Sequence, residues 1–458
     1  MKILKVLTPE ESMYTCVRCG ACRGVCPTLN ITGREADGPR GRVLMARSVL
    51  EGEIPVNQEI KEQLDRCLLC SACVDACPMD VQVPDIVMVA KEQIAAATEL
   101  NSFHERSVKI DTSQNDIKRT AKPVRNVKDF FFDKVLGDQK NLNKVGNLLW
   151  MYQKSGLQKV TRAVGIMKFF PEQMQQMERI MPEILPPSKR KHHPEFTPRA
   201  NEKKETRGRV AFFQGCIMDV MFRETNDNTI KLLSKAGFDD VTPQAQVCCG
   251  ALHHHSGKTD KAIELAKANI AAFENANVDH IITNAGGCGA ALVEYEEFFR
   301  DNPSWLARAK KFSEKIRDIS EIVVEKGELP ELVGRGERVT YQPSCHLQYV
   351  MKVKDAPAKL VKKVPNAEYV DLPEKKYCCG SAGIYNMLQP ELANEILDKK
   401  MEKVKETDSA VLITANPGCF LQMKLGVHRE GMDSVIETKH VVDYLVESIE
   451  RAEAETPS

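Results

Sequence analysis

The cysteines of this chain are spaced in a pattern typical of iron–sulfur ligation. Two runs share the spacing C-x2-C-x2-C-x3-C-P, one from Cys16 to Pro27 and the other from Cys67 to Pro78. In each run the first three thiolates can bind three corners of one [4Fe–4S] cubane, whereas the fourth is too distant to close the same cube and crosses to the other one. The proline that follows turns the chain away, because its ring fixes φ.

The crossing rule predicts two ligand sets and therefore two clusters. They are Cys16, Cys19, Cys22 and Cys77 for the first cluster, and Cys67, Cys70, Cys73 and Cys26 for the second. Structural zinc is the competing interpretation, but zinc sites usually combine two C-x2-C pairs around one tetrahedral ion, which suits these runs poorly. A disulfide framework is less favoured still, because it belongs to small secreted domains.

The other eight cysteines recur in an internal repeat of the second half. Cys216 corresponds to Cys345 at a separation of 129 residues, and the Cys-Cys-Gly segments at 248–250 and 378–380 are 130 apart. The last cysteines of the two copies are 131 apart, so the register hardly drifts. The predicted thiol groups are Cys216, Cys248, Cys249 and Cys288, then Cys345, Cys378, Cys379 and Cys419.

Each copy alternates β-rich runs with helical segments, which predicts α/β units with parallel strands. Ligands of such folds gather at the carboxyl ends of strands, where four of these cysteines fall. We therefore expect one or both groups to hold an additional iron–sulfur cluster or a zinc ion. The alternative is buried structural cysteine, the usual state of a lone cysteine.

The chain is long enough for about three domains or more. The predicted fold is a multidomain α+β and α/β protein with an α-helical two-cluster ferredoxin domain over residues 1–100. A basic helical connector over 101–207 leads to two α/β cysteine-rich domains over 208–333 and 334–458. Between the cysteine runs, Arg40 and Arg42 are either surface charges beside a turn or cations that neutralise the clusters.

The connector differs from the rest in its charge. Residues 101–209 hold 23 Lys or Arg against 12 Asp or Glu, although the whole chain has 64 of each. Apolar residues from Val145 to Met167 recur at the three-and-four spacing of amphipathic helices. One interpretation is a helical linker packed on the protein core. The other is a docking face for a partner subunit or for an anionic membrane surface.

The overall composition excludes several functional classes. Balanced charge gives no electrostatic case for nucleic acid, and no apolar run approaches the roughly 20 residues of a membrane-spanning helix. The first residues lack the features of a signal peptide, so sixteen cysteines predict a reducing, cytoplasmic location. No C-x2-C-H haem motif and no G-x-G-x-x-G dinucleotide motif is present.

The order of two ferredoxin motifs and two Cys-Cys-Gly domains resembles the iron–sulfur subunits of bacterial glycolate oxidase. Similar arrangements occur in the iron–sulfur subunits of anaerobic glycerol-3-phosphate dehydrogenase, of lactate-oxidation complexes and of heterodisulfide reductase. The segments at 248–253, 378–383 and 416–419 look closest to the glycolate oxidase group. The fullest pattern of these domains ends in C-x2-C, but Ala285 and Asn416 replace its first cysteine here, which argues against a non-cubane cluster.

Three histidines follow the first Cys-Cys-Gly segment, His253, His254 and His255. They are candidate metal ligands, but the second copy has no histidine there, so polar histidines near a turn are the simpler interpretation.

The resemblance implies an oxidoreductase subunit that transfers electrons and has no catalytic residue of its own. FAD-containing dehydrogenase subunits would oxidise the CH–OH group of a 2-hydroxy acid, most simply glycolate, and a respiratory quinone or another non-NAD acceptor would receive the electrons. Peripheral contact with the inner face of the cytoplasmic membrane is expected. The rival functions are lactate or glycerol 3-phosphate oxidation, a thiol or quinone reductase, and a zinc-bound scaffold.

Overall fold

The computed structural model describes residues 8–55, 57–94 and 135–455. These residues belong to two compact units. One contains the chain up to residue 135 together with residues 255–258, and the other contains the remainder. Within the described ranges, no helix combines the length and apolar character needed to cross a bilayer.

The first unit is built from short helices around the two cysteine runs. Val43, Leu64, Ile86 and Ile94 are among the buried side chains of its core. Several helices carry proline at the first turn, where no backbone donor is lost. The helices are Pro9–Tyr14, Pro27–Thr32, Pro39–Leu50, Gln58–Asp65, Ala72–Asp75 and residues 83–94, with a 3₁₀ turn at Glu35–Asp37. The predicted helical ferredoxin-like architecture is confirmed. We also predict from its composition that the last helix runs over residues 83–97, of which 95–97 lie outside the described residues.

From residue 136 onward the connector belongs to the second unit. Leu142, Ile180 and Ile184 are buried in it, as expected for a packed linker. Val160 and Val164, in contrast, are exposed, so the apolar stripe is only partly covered. The connector helices are Gln139–Lys154, Leu157–Ala163 and Glu172–Ile180, with 3₁₀ turns at Ile166–Phe169 and Pro187–Lys189.

The first repeat forms a five-stranded sheet in the order β1-β3-β2-β4-β5. Strand β1 pairs antiparallel with β3, and all other pairs are parallel. Strand β1 belongs to the connector, for which only helices were predicted. The strands are β1 Phe196–Thr197, β2 Arg209–Phe213, β3 Asp239–Val241, β4 His280–Thr283 and β5 Ile316–Asp318.

The second repeat has four parallel strands in the order β7-β6-β8-β9, which is the order of the first sheet without β1. The strands are β6 Arg338–Tyr341, β7 Glu368–Val370, β8 Val411–Thr414 and β9 Glu437–His440. In each repeat the first strand lies between the second and the third. The strand order therefore reverses beside it, which creates the crevice where ligands bind in open α/β sheets. The predicted α/β repeats are confirmed.

Helices join these strands in both repeats. In the first repeat they are Cys216–Met221, Arg223–Lys235, Ala251–His255, Thr259–Glu274, Gly286–Val293, Pro303–Ser313 and Ile319–Glu325, with a 3₁₀ turn at Tyr295–Phe299. In the second they are Cys345–Tyr349, Ala356–Val361, Tyr385–Leu388, Pro390–Lys405, Pro417–Arg429 and Val441–Glu455.

The glycine of each Cys-Cys-Gly segment is required by the backbone. Gly250 and Gly380 have φ of +83° and +89°, which side chains rarely adopt. A Cβ atom on Gly380 would lie only 2.6 Å from the carbonyl oxygen of Ala393 in the following helix. The glycine thus lets the cysteine pair approach that helix closely.

We expect Gly380→Ala to lower the free energy of unfolding by about 3 kcal/mol, because left-handed strain adds to a backbone clash. Gly431→Ala is the matched control. Gly431 has φ of +67° with no atom within 4 Å of the added Cβ, so its cost is about 1 kcal/mol. Denaturant unfolding of the two variants measures the difference, and equal losses would show that the close approach does not matter.

Candidate metal centres

The first cysteine run and one cysteine of the second run meet at one pocket. A pocket of about 410 Å³ is lined by Cys16, Cys19, Cys22 and Cys77. Cys73 also contributes to its wall. Cys77 comes from the second run. The structure thus brings together the four residues that the spacing predicts for the first cluster.

The complementary set meets at a second pocket in the same unit. Cys26, Cys67, Cys70 and Cys73 line a pocket of about 350 Å³. Here Cys26 comes from the first run, so each predicted ligand set combines three cysteines of one run with one of the other. The two pockets share Cys73 as a wall residue.

The two runs adopt the same unusual backbone. Arg18 and Gly20 have φ of 56° and 88°, and Leu69 and Ser71, at the same places in the second run, have φ of 50° and 61°. Left-handed conformations cost a non-glycine residue about 1–2 kcal/mol. Such strain is typically kept where the surrounding structure needs it, as around a bound group.

The pockets place thiols where ionisation is costly. Burial raises the pKa of Cys73 well above its usual value, and the nearby thiols Cys70 and Cys67 raise it further. Burial also raises the pKa of Cys22. Four thiolates can therefore coexist here only beside a positive counter-charge, which iron supplies, so this donor set suits iron–sulfur clusters.

Arg42 contributes a further positive charge at the second pocket. Its side chain is almost fully buried, and its Nη1 donates to Cys26 Sγ at 3.9 Å while Nη2 donates to Thr28 Oγ1 at 3.0 Å. Arg40 lines the first pocket but is partly exposed and pairs with Glu35. The interpretation of these arginines as surface charges is therefore wrong for Arg42.

The thiols of the first cysteine-rich repeat form a continuous series. The Cys216 thiol donates to Cys248 Sγ at 3.4 Å. Cys249 lies within hydrogen-bonding reach of both Cys248 and Cys288. All four predicted members of this group are thus in contact, directly or through one another.

The second repeat reproduces this series. Cys345 is hydrogen-bonded to Cys378, and Cys379 to both Cys378 and Cys419. These four thiols also line a pocket of about 240 Å³. The predicted second group is therefore brought together as well.

Strand ends and helix starts position both thiol groups. Cys216 and Cys288 follow strands β2 and β4, which flank the crevice of the first sheet, and Cys345 and Cys419 follow β6 and β8 in the same way. Each of the four lies in the first turn of a helix. Backbone N–H groups at a helix start favour the thiolate over the thiol.

Histidines contact one thiol in each group. Buried His253 is hydrogen-bonded to Cys248, and His346 Nδ1 lies 3.6 Å from Cys345 Sγ. His254 packs edge-on against Phe298, and burial lowers its pKa to about 4. His255 ends the short helix Ala251–His255. His346 was not predicted as a site residue, although its place next to Cys345 was a usable signal.

Asn416 stands where the C-x2-C ending of the fullest cysteine-rich pattern has its first cysteine, and its side chain makes hydrogen bonds there. Its Oδ1 accepts a hydrogen bond from the Gly287 N–H at 2.9 Å, and its Nδ2 donates to Cys419 Sγ at 3.7 Å. The residue therefore links the backbone beside Cys288 to the second group. Ala285, its counterpart, is buried in the apolar core.

The thiol groups are not arranged as the ligands of a single metal ion. Among the described residues, no three His, Cys, Asp or Glu side chains converge as ligands of one ion. A cubane presents four separate iron corners to its four thiolates, so this finding concerns sites for a single ion only.

Three family models match the chain. The model of a 4Fe-4S dicluster domain matches residues 12–81, and that of a cysteine-rich domain matches residues 210–293 and 339–424. The model of the linker region of the glycolate oxidase iron-sulfur subunit matches residues 123–181. These matches support iron–sulfur clusters as the cofactors of this chain.

Curated proteins are similar over most of the chain. The chain is 39% identical to the probable glycolate oxidase iron-sulfur subunit of Bacillus subtilis (strain 168), over 96% of this chain and 94% of that protein. It is 27% identical to the glycolate oxidase iron-sulfur subunit of Escherichia coli (strain K12), over 91% and 90%. Lactate utilization protein A of Oceanobacillus iheyensis is 32% identical over 52% of this chain and 96% of that protein. The resemblance stated from the motifs is confirmed.

We expect Arg42→Met to destabilise whatever the second pocket binds, because it removes a buried donor to Cys26. Anaerobically purified variant protein should lose up to about four iron atoms per chain, the content of one cubane. Arg47→Met, on the same helix, is the control and should keep its iron, since Arg47 is partly exposed, pairs with Glu51 and lines neither pocket. Iron and sulfide analysis measures both, and full iron content with unchanged EPR signals in Arg42→Met would contradict the expectation.

Proposed function

Because the chain belongs to the family of glycolate oxidase iron–sulfur subunits, we propose that it carries electrons from FAD-containing dehydrogenase subunits that oxidise glycolate. A respiratory quinone or another non-NAD acceptor receives them. The observation that carries this proposal is the meeting of each triplet of cysteines with the fourth cysteine of the other run. That arrangement suits two neighbouring redox centres within one small helical unit.

We propose the ligands as follows. The first [4Fe–4S] cluster takes Cys16, Cys19, Cys22 and Cys77, and the second takes Cys67, Cys70, Cys73 and Cys26. One or both of the cysteine-rich groups hold a further iron–sulfur cluster. Its ligands are Cys216, Cys248, Cys249 and Cys288 in the first group and Cys345, Cys378, Cys379 and Cys419 in the second.

Such clusters supply one-electron transfer when bound. The chain's own residues hold the thiolates, donate hydrogen bonds to sulfur and limit the access of water. The N–H of Val81 donates to Cys77 Sγ at 3.5 Å at the first pocket, and Arg42 does so at the second. Hydrogen bonds and charges of this kind set the reduction potential of each centre.

Lactate is the second candidate substrate of the partner subunits. Lactate utilization protein A from several organisms matches about half of this chain over nearly its own full length. Glycolate and lactate differ by one methyl group, and recognition of the substrate falls to the partner's site. Glycolate is favoured because the two glycolate oxidase relatives span over nine-tenths of this chain.

We also propose that the protein is cytoplasmic and binds peripherally to the membrane through the tip of its connector, residues 157–170. Val164 is 70% exposed and Phe169 is 90% exposed there, with Leu157 and Val160 exposed beside them. Residues 139–171 contain six Lys or Arg and no Asp or Glu. Apolar side chains ringed by cations suit an anionic lipid surface, where each Lys or Arg contributes about 1 kcal/mol.

The electron-transfer role is tested with Cys70→Ser, reconstituted with the flavoprotein partner. We expect glycolate-driven reduction of a quinone analogue to fall about tenfold or more, because one centre of the route is disturbed. Glycolate-driven reduction of a flavin-linked dye should remain close to wild type. Lactate and glycerol 3-phosphate are assayed alongside glycolate. Loss of dye reduction, or turnover by this chain without its partner, would contradict the proposed division of roles.

The membrane role is tested with Val164→Asp by flotation on vesicles containing phosphatidylglycerol. We expect binding to weaken about tenfold or more, since a charge replaces an inserting apolar side chain. Val435→Asp is the matched control, because Val435 is 60% exposed and lies outside the tip. Equal flotation of the two variants would show that the tip does not bind the membrane. Loss of co-purification with the flavoprotein in Val164→Asp alone would assign the tip to the partner instead.

A further inference from the structure

A buried lysine lies beside the second cysteine-rich group. Lys400 belongs to helix Pro390–Lys405 and has no exposed surface. Its Nζ donates to the carbonyl oxygen of Glu374 at 3.2 Å. Its charge interacts with the thiols of Cys379, Cys378 and Cys419 and with the carboxylate of Glu374. The same helix packs Leu397 and Met401 in one apolar cluster with Cys379 and Cys419. A buried charge is costly unless opposite charge lies close by, and thiolates of this group would supply such charge.

The internal repeat shows which residue occupies the same place in the first group. Six positions are buried on the equivalent helices, and each pair is separated by the 131 residues that separate Cys288 from Cys419. The two sets are Ala262, Leu265, Ala266, Asn269, Ile270, Phe273 and Ala393, Ile396, Leu397, Lys400, Met401, Val404. Lys400 therefore stands where the first repeat has Asn269.

Asn269 is neutral, and its amide is used in hydrogen bonds within the core. Its Nδ2 donates to the carbonyl oxygen of Cys248 at 3.0 Å and to Tyr295 Oη at 3.0 Å. Two groups with the same thiol series thus differ by one full buried charge at one equivalent position. The two groups therefore differ in electrostatic environment, whereas the order of hydrogen-bonded thiols is the same in both.

The mouth of the second group's pocket also carries lysines. The pocket is lined by Lys375 and Lys376, both exposed, and Lys375 pairs with Asp371 at 3.5 Å. An electron carrier or acceptor that approaches through this pocket meets cations in front of the thiols. Lys400 lies behind them, in the protein core.

We propose that the second cysteine-rich group binds a redox-active iron–sulfur cluster and that Lys400 raises its reduction potential above that of a centre in the first group. The reduced cluster carries one more negative charge than the oxidised one, so a nearby cation stabilises reduction. The effect is large in a buried site, because solvent and salt screen the charge weakly. Electrons that enter the repeats then reduce the second group first, because its potential is higher. The proposal rests on the proposed function, since it takes this group to bind a cluster.

The experiment is an EPR-monitored redox titration of the full chain with chemical mediators, which needs no partner subunit. The signal of the second group is the one lost in Cys345→Ser. We expect Lys400→Gln to make reduction of that centre at least tenfold less favourable, which is 59 mV for one electron. The signals from the first unit should not move. Lys400→Leu replaces Lys400→Gln if the latter yields no folded protein.

Two controls separate charge from structure. Lys400→Arg keeps the cation and should keep the midpoint, whereas Lys399→Gln removes a charge from the exposed side of the same helix and should have little effect. Unchanged midpoints in Lys400→Gln, an equal fall in Lys400→Arg, or zinc without iron in the second group would overturn the proposal. Failure of glycolate to reduce any centre would instead count against the proposed function, because the titration does not depend on the partner.

Discussion

Mutual repulsion between crowded thiolates is the constraint on which this structure depends. Four sulfur atoms in one buried place cannot all lose their protons unless positive charge lies among them. At Cys73, burial and the neighbouring thiols Cys70 and Cys67 raise the pKa well above its usual value. Bound iron removes the repulsion, so folding and cofactor binding are coupled.

Backbone dipoles and a few buried cations in the fold supply positive charge near the sulfur atoms. In both sheets the strand order reverses between the strands that precede the cysteines, and helix starts place N–H groups beside the sulfurs. Arg42 and Lys400 add full charges, one in each unit. Asn416 joins the backbone near Cys288 to the sulfur of Cys419, so the two thiol groups of the repeats share a structural element.

Spacing and repetition predicted the cysteine sets well, because ligand geometry restricts how far apart thiols can be in sequence. The crossing of Cys26 and Cys77 followed from this rule, although it joins residues about fifty positions apart. Short strands such as Asp239–Val241 were missed, because three residues are too few to show an alternating pattern. Periodicity also revealed the apolar face at Val164, but a pattern cannot tell whether anything covers that face. The contrast between Asn269 and Lys400 was readable only once the burial of both helices fixed their register.

The exchange of the fourth cysteine between the two runs has a consequence for biosynthesis. Neither pocket has its four sulfurs until the ribosome has made most of the second run, since the second pocket waits for Cys73 and the first waits for Cys77. A shorter nascent chain therefore offers the iron-delivery machinery only incomplete sets of donors. Both pockets are completed late and within a few residues of each other, and a premature stop before residue 73 leaves a product that completes neither.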